Sequence, residues 1–155
     1  DFYVQLNGDE PLINTKAVAA AIPDDVPQDI EFGTNIITEM TDPAQVMDPS
    51  NIKMVFDDNM NALYMSRTPI PYPFKAIDFK YYKHVGIIGY NKRMLDFYKN
   101  SKPGRFELIE GIDTLRFMDY GKQLKVYLVP ECHSLSVDTE KDLEMVIKMM
   151  KKGNH

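Results

Sequence analysis

A single cysteine, Cys132, stands among 155 residues, so no internal disulfide can form and the chain suits a reducing compartment. Basic charge is also in short supply: 18 Lys and Arg face 23 Asp and Glu, leaving a net charge of -5 and a pI near 5.2. That balance argues against a nucleic-acid partner, which is normally met by a basic face. It also means that an anionic substrate must be held by local Lys or Arg, or through a metal ion. No apolar run approaches the roughly eighteen residues of a membrane span, and no signal peptide is visible. A soluble, cytoplasmic protein without a membrane partner is therefore expected. Gly-rich phosphate loops, zinc-type spacings and nucleophile elbows are missing, as are internal repeats and low-complexity segments.

What remains is ordinary globular composition, 44% apolar and 26% charged, in a length that suits one domain with one substantial core. "FYVQL" (2–6) favours a pleated strand, which stops in Asn7-Gly8-Asp9-Glu10-Pro11. A helix is predicted from Thr15 to Ile22 with Asn14 as its N-cap. Residues 23–33 read as a loop, 34–38 as a short strand and 42–48 as one or two helical turns begun by proline. "IKMVFDDNMNALYMS" (52–66) has the pattern of a β-hairpin, and the prolines of "TPIPYP" (68–73) require an extended loop. "YYKHVGIIGY" (81–90) is nearly continuous in apolar character, as for a strand covered on both faces. Helices are predicted over 91–100 and 105–119, the second ending near Gly121, followed by a strand over 124–129. The last helix opens on a capping box made by Thr139 and Asp142, with Leu143, Val146, Ile147 and Met150 at helical spacing. Alternating strands and helices indicate a layered α/β domain.

Several residues could carry chemistry, and each has a plainer reading. Asn-Gly and Gly-Asp form turns readily, so Asp9 is either a solvated turn acid or a carboxylate at a strand's carboxyl end, where α/β folds bind ligands. A hard oxygen there suits Mg²⁺ attached to a phosphate. Asp138 either begins a helix, where acids favour the dipole, or serves as a second ligand to the same metal. His84 is a hydrogen-bonded core histidine or a donor to substrate, and Arg67 is a surface cation or a planar clamp for a carboxylate. Lys148, Lys151 and Lys152 read as a solvated helix end, and most of the ten methionines as core filler.

Taken in order, several segments resemble the 3-deoxy-manno-octulosonate (Kdo) cytidylyltransferases, the CMP-Kdo synthetases. "VQLNGDEPLI" resembles the family's V-x-V-Q-G-D-E-P, and "DPSNIKMVFDDNMNALYMSRTPIPY" resembles N-P-x-x-V-K-V-V…A-L-Y-F-S-R-x-x-I-P. "KHVGIIGY" is similar to R-H-x-G-I-Y-G-Y, "ELIEGIDTLRFMDYG" to E-x-x-E-x-L-E-Q-L-R-x-L-x-x-G, and "SVDTEKDLEMV" to G-V-D-T-x-x-D-L. The resemblance implies a three-layer nucleotidyltransferase (glycosyltransferase-A-like) fold with a mixed, mostly parallel sheet and a β-hairpin dimerisation region. It implies that CTP and an acidic 2-keto-3-deoxy sugar are joined as the CMP-sugar, with release of pyrophosphate, for lipopolysaccharide or capsule biosynthesis. By resemblance Asp9 and Asp138 would be catalytic ligands of Mg²⁺, while Asn7, Arg67, His84 and Asp113 would hold the sugar. A homodimer is implied as well.

The family's N-terminal segment, with its P-G-K-P loop for CTP, has no counterpart here, so the sequence looks like the C-terminal portion of a longer protein. Asn7 replaces a glutamine, Ile88 a tyrosine, and Asp113-Thr114 a Glu-Gln pair, each shortening or deleting a polar side chain in the sugar-binding pieces. An acylneuraminate-type cytidylyltransferase is one alternative. Another is a non-catalytic remnant that keeps the sugar pocket and dimer surface. Three expectations follow: carboxylates of Asp9 and Asp138 within roughly 6 Å of each other, a homodimer with the hairpin at its interface, and an open sheet edge beside uncovered apolar surface.

Overall fold

The computed structural model describes residues 1–76, 78–130, 132, 136, 137 and 139–153. Its centre is β5 (Tyr81–Asn91), eleven residues long, against which most of the sheet is assembled. One edge of β5 pairs with β2 (Gly33–Met40), as in Thr34 opposite Gly89. The other edge is shared by β1 (Phe2–Leu6), with Val4 opposite Gly89, and by β3 (Lys53–Phe56), with Lys53 opposite Lys83. Outside β3 lies β4 (Ala62–Ser66), its hairpin partner, and outside β2 lies β6 (Leu124–Leu128). The path therefore runs β4-β3-β5-β2-β6, with β1 beside β3 on the same edge of β5.

The mixed sheet agrees with expectation, but its predominant direction does not. Among the described residues only the β2–β6 pair is parallel; β1–β5, β2–β5, β3–β4 and β3–β5 are antiparallel. A continuous apolar run reports burial on both faces and nothing about direction. β5 meets that condition as an antiparallel strand lying between two apolar clusters.

Those clusters make the layers. Along β5, Ile88 and Tyr90 face a core completed by Ile37, Met54, Met94, Leu115, Phe117 and Leu124. Val85 and Ile87, on the alternate face, pack with Ile36, Ala17, Ala21 and Cys132. Helix α1 (Thr15–Ala20) covers the second face, and Asn14 caps it through bonds from the Lys16 and Ala17 amides, as its sequence predicts. Helix α2 (Pro43–Met47) is one short turn with proline at its start. The first face is covered by α3 (Lys92–Asn100) and, beyond α4 (Arg105–Glu110), by α5 (Leu115–Asp119).

The single helix expected over 105–119 is thus two. Gly111, at φ 63°, ends α4 in the left-handed region that glycine enters without penalty. The two pieces are tied by Glu107, whose carboxylate accepts from Arg116 Nε at 2.7 Å and from the Gly104 amide at 2.8 Å. The Arg116 guanidinium also stacks over Tyr98, 3.9 Å from the ring centre.

Helix α6 (Glu140–Gly153) begins on the expected reciprocal cap: Asp142 Oδ2 accepts from the Thr139 amide and hydroxyl, and Thr139 Oγ1 accepts from the Asp142 amide. Of its apolar stripe only Val146 is buried, at 3%, while Leu143, Ile147 and Met150 remain 42–53% exposed. The chain therefore does carry uncovered apolar surface.

Candidate functional site

The turn after β1 lies in the gap that β1 and β3 leave along one edge of β5. Glu10 closes it, its amide donating to the Asn7 carbonyl at 3.3 Å, while the Asn7 amide donates to Glu10 Oε1 at 3.2 Å. Both side chains occupy the space where a Cβ on Gly86 would sit, so any larger residue at this position in β5 would have to displace them. From the other side, the Val137 amide donates to the Asp9 carbonyl at 2.9 Å. The strand end and the segment leading into α6 thus meet in space. Asp138, the next residue, lies outside the described residues, and so does the separation of its carboxylate from that of Asp9.

Asp9 itself is exposed. Among the described residues no group of three or more His, Cys, Asp and Glu could cage a metal ion. Mg²⁺ does not require such a cage, because it binds through one or two carboxylates with substrate phosphates and water completing the shell. An exposed, hard carboxylate at the carboxyl end of a strand fits that mode. Glu10, the second acid of the pair, fits it poorly: it is 7% exposed and its Oε1 is taken by Asn7.

His84 shares the β5 face of Gly86 and Tyr90 by alternation. Its Nδ1 lies 2.6 Å from Asn35 Oδ1. The Asn35 amide nitrogen donates to the Val85 and Ile87 carbonyls, which leaves Oδ1 as an acceptor and assigns the proton to His84 Nδ1. Burial first, then the nearby Lys83 charge, lowers the His84 pKa from 6.5 to about 4. The imidazole is therefore neutral at physiological pH, held as the plainer reading of a core histidine describes.

Asp113 is exposed at the rim of a small cavity of about 70 Å³, lined also by Gln5, Tyr90, Tyr98 and Thr114. The Tyr90 hydroxyl donates to Gln5 Oε1 at 3.1 Å. Burial, then the Asp113 charge, pushes the Tyr90 phenol well up, so it stays a hydrogen-bond donor at any working pH. Neither Gln5 nor Tyr90 stands out in sequence, because strand alternation gives no sign of which polar side chains line a pocket.

Arg67 donates three of its five N–H groups to backbone carbonyls. Its Nε donates to the Glu110 carbonyl at 2.8 Å, and its two terminal nitrogens reach the Pro49 and Gly111 carbonyls, each at 3.1 Å. The planar fork binds the end of α4 to the hairpin, where Glu110 also accepts from Ser66 and from the Arg67 amide. Lys53, fully buried, completes this knot through bonds of 2.6–2.8 Å to the carbonyls of Asp48, Asn51 and Arg67. A larger cavity of about 570 Å³ opens on the other face, bordered by Asp48, Lys83, Cys132, Ser136 and Met149.

The sequence profile of the cytidylyltransferases matches residues 1–129. The chain belongs to the cytidylyltransferase family. Among its relatives, an 8-amino-3,8-dideoxy-manno-octulosonate cytidylyltransferase of Shewanella halifaxensis is 35% identical over 147 residues, covering 94% of this chain and 59% of the relative. A 3-deoxy-manno-octulosonate cytidylyltransferase of Fusobacterium nucleatum is 34% identical over 156 residues, covering 99% of this chain and 62% of the relative. A CMP:2-keto-3-deoxy-manno-octonic acid synthetase, solved in complex with CTP, superposes with a TM-score of 0.88 at 32% identity, over 99% of this chain and 63% of that one. An inositol-1-phosphate CTP transferase of T. maritima shares the fold alone, at a TM-score of 0.60 and 16% identity. This cytidylyltransferase-family chain thus spans about three-fifths of the length of the relatives it matches. Among the described residues no helix is long and apolar enough to cross a membrane.

Proposed function

We propose that this chain is part of an enzyme that joins CMP, from CTP, to an acidic 3-deoxy-octulosonate-type sugar and releases pyrophosphate. The observation that carries this reading is the likeness to the CTP-complexed synthetase over 99% of the chain. The product would serve lipopolysaccharide or capsule biosynthesis in the cytoplasm. In this reading Asp9 and Asp138 hold Mg²⁺ on the triphosphate. When bound, the ion supplies charge neutralisation at the α-phosphate as the sugar hydroxyl attacks in line. Asp9 presents its carboxylate from a turn anchored on β5 and on the segment before α6. Asn7 and Asp113 flank the sugar, with Gln5 and the Tyr90 hydroxyl as further polar contacts in the small cavity. The neutral His84, its Nδ1 proton held by Asn35, would accept a hydrogen bond from the sugar at Nε2.

A homodimer fits the hairpin. β4 ends the strand path with Leu63 58% exposed, and the adjoining α4 exposes Leu108 and Ile109 at 72% and 68%. Such a patch at a sheet edge favours pairing with a second copy.

The relatives are named for both the 8-hydroxy and the 8-amino sugar, and both are candidate substrates. Pyrophosphate release should be measured with CTP, Mg²⁺ and each of Kdo, its 8-amino analogue and N-acetylneuraminate. The protein should carry the counterpart of the relatives' length that residues 1–155 do not span. Turnover with either eight-carbon sugar supports the proposal. Turnover with N-acetylneuraminate alone would shift it to the acylneuraminate type. Folded protein that binds sugar but shows no magnesium-dependent CTP binding by calorimetry would favour the non-catalytic remnant.

A further inference from the structure

β2 and β5 run antiparallel, but their register breaks between Asn35 and Ile37: Asn35 lies opposite Ile88, and Ile37 lies opposite His84. Val85, Gly86 and Ile87 therefore face Ile36 alone. Such a break interrupts the regular exchange of backbone hydrogen bonds. The Asn35 side chain fills it. Asn35 is fully buried, and its amide nitrogen donates to the Val85 carbonyl at 3.1 Å and to the Ile87 carbonyl at 3.0 Å, which uses both of its hydrogens.

These two bonds settle which way the amide points. Turned about, its oxygen would meet two carbonyl oxygens and both bonds would be lost, which burial makes costly. Oδ1 is therefore directed at His84 Nδ1, 2.6 Å away, and it can only accept. The proton between them belongs to the imidazole. Lost hydration and the nearby Lys83 charge keep the ring from taking a second one. By alternation His84 lies on the β5 face of Gly86, over which Asn7 and Glu10 are laid. Among the described residues no hydrogen bond reaches its Nε2, and the only buried side-chain nitrogen or oxygen without a partner is Glu10 Oε2, so Nε2 is open to a ligand.

We propose that Asn35 is a positioning residue for His84: it holds the proton on Nδ1, so that Nε2 is offered to the sugar as an acceptor. The sugar must then meet His84 with a hydroxyl or ammonium hydrogen, and its carboxylate must be held elsewhere. That consequence rests on the reading of His84 as a sugar contact; the hold of Asn35 on the ring does not. An asparagine that merely mended the ladder would be indifferent to which ring nitrogen carries the proton.

Long-range proton–nitrogen NMR spectra of the 155-residue chain, labelled with ¹⁵N in histidine, show which ring nitrogen is protonated. The His84 signals are those lost in His84→Gln. At pH 7.5 Nδ1 should carry the proton and Nε2 should be bare. Asn35→Leu, close in size, should release the ring to the Nε2–H tautomer that histidine favours in water. Asn35→Asp keeps an acceptor at Nδ1 and adds a negative charge. Its tautomer should stay, and the pH at which the ring gains a second proton should rise by about one unit or more. A protonated Nε2 in the wild type at pH 7.5 would overturn the proposal, as would a tautomer unmoved in Asn35→Leu or a titration unmoved in Asn35→Asp. In the complete enzyme, Asn35→Leu should raise KM for Kdo about three- to tenfold and leave KM for CTP unchanged. A KM for Kdo that moves in His84→Gln but not in Asn35→Leu would likewise overturn it. If KM for Kdo stays put in His84→Gln, His84 is not a sugar contact, while the spectra still decide what Asn35 does.

Discussion

Acid should destabilise this domain through His84. In the folded protein its pKa falls from 6.5 to about 4, because the partly buried ring has lost hydration and lies near Lys83. The unfolded chain then binds a proton that the folded chain refuses, so stability is present above pH 6.5 and is lost as the pH falls below it. Relative to pH 7.5, the loss amounts to about 2 kcal/mol at pH 5 and about 3 kcal/mol at pH 4, below which it levels off. Urea denaturation at half-unit steps between pH 7.5 and 4.5 measures this. His84→Gln, whose side-chain amide can still donate to Asn35, should flatten the profile over that window. Lys83→Met should lessen the slope, since it removes the like charge that adds to burial. Parallel profiles for wild type and His84→Gln would show that His84 is accessible to protons in the folded state and would refute the argument.

Arg67→Lys keeps the charge but loses the fork that spans three carbonyls, and should cost about 1–3 kcal/mol in urea denaturation. Unchanged stability with a raised KM for the sugar would instead return Arg67 to the role of carboxylate clamp. Gly86→Ala places a methyl group where the Asn7 amide and Glu10 carboxylate lie. Because those are side-chain ends that can swing away, stability should fall by only about 1–2 kcal/mol, while kcat of the complete enzyme falls much further; equal losses in both would contradict the placement of the turn at the site.

Local chemistry was legible from sequence where the deciding contacts are local. Asn14 caps α1 and Thr139 pairs with Asp142 because each partner lies within three residues along the chain. The β3–β4 hairpin and the apolar β5 were legible too, since their patterns follow from burial. Strand direction was not, because β5 would read the same beside parallel or antiparallel neighbours. The break at Gly111 was hidden within a helical pattern that continues on both sides of it. The site divides along the same line. The acids of the turn announced themselves, but nothing in "GDEP" says that Asp9 faces solvent while Glu10 is buried over Gly86. The carbonyl partners of Arg67, 18, 43 and 44 residues away, leave no trace beside it in sequence.

In the proposed function the strand end at Asp9, met by Val137, is the metal-bearing part of a CMP-sugar synthetase site. The most direct test of this is transfer of CMP to Kdo or 8-amino-Kdo in the complete enzyme carrying Asp9→Asn, which removes an anionic ligand at constant side-chain size. Transfer should fall on the order of a hundredfold or more, with sugar binding and thermal stability retained. Asp138→Asn should behave alike, and the double variant should lose far less than the product of the two. Full activity in Asp9→Asn would contradict the account and leave Asp9 as a solvated acid in a turn.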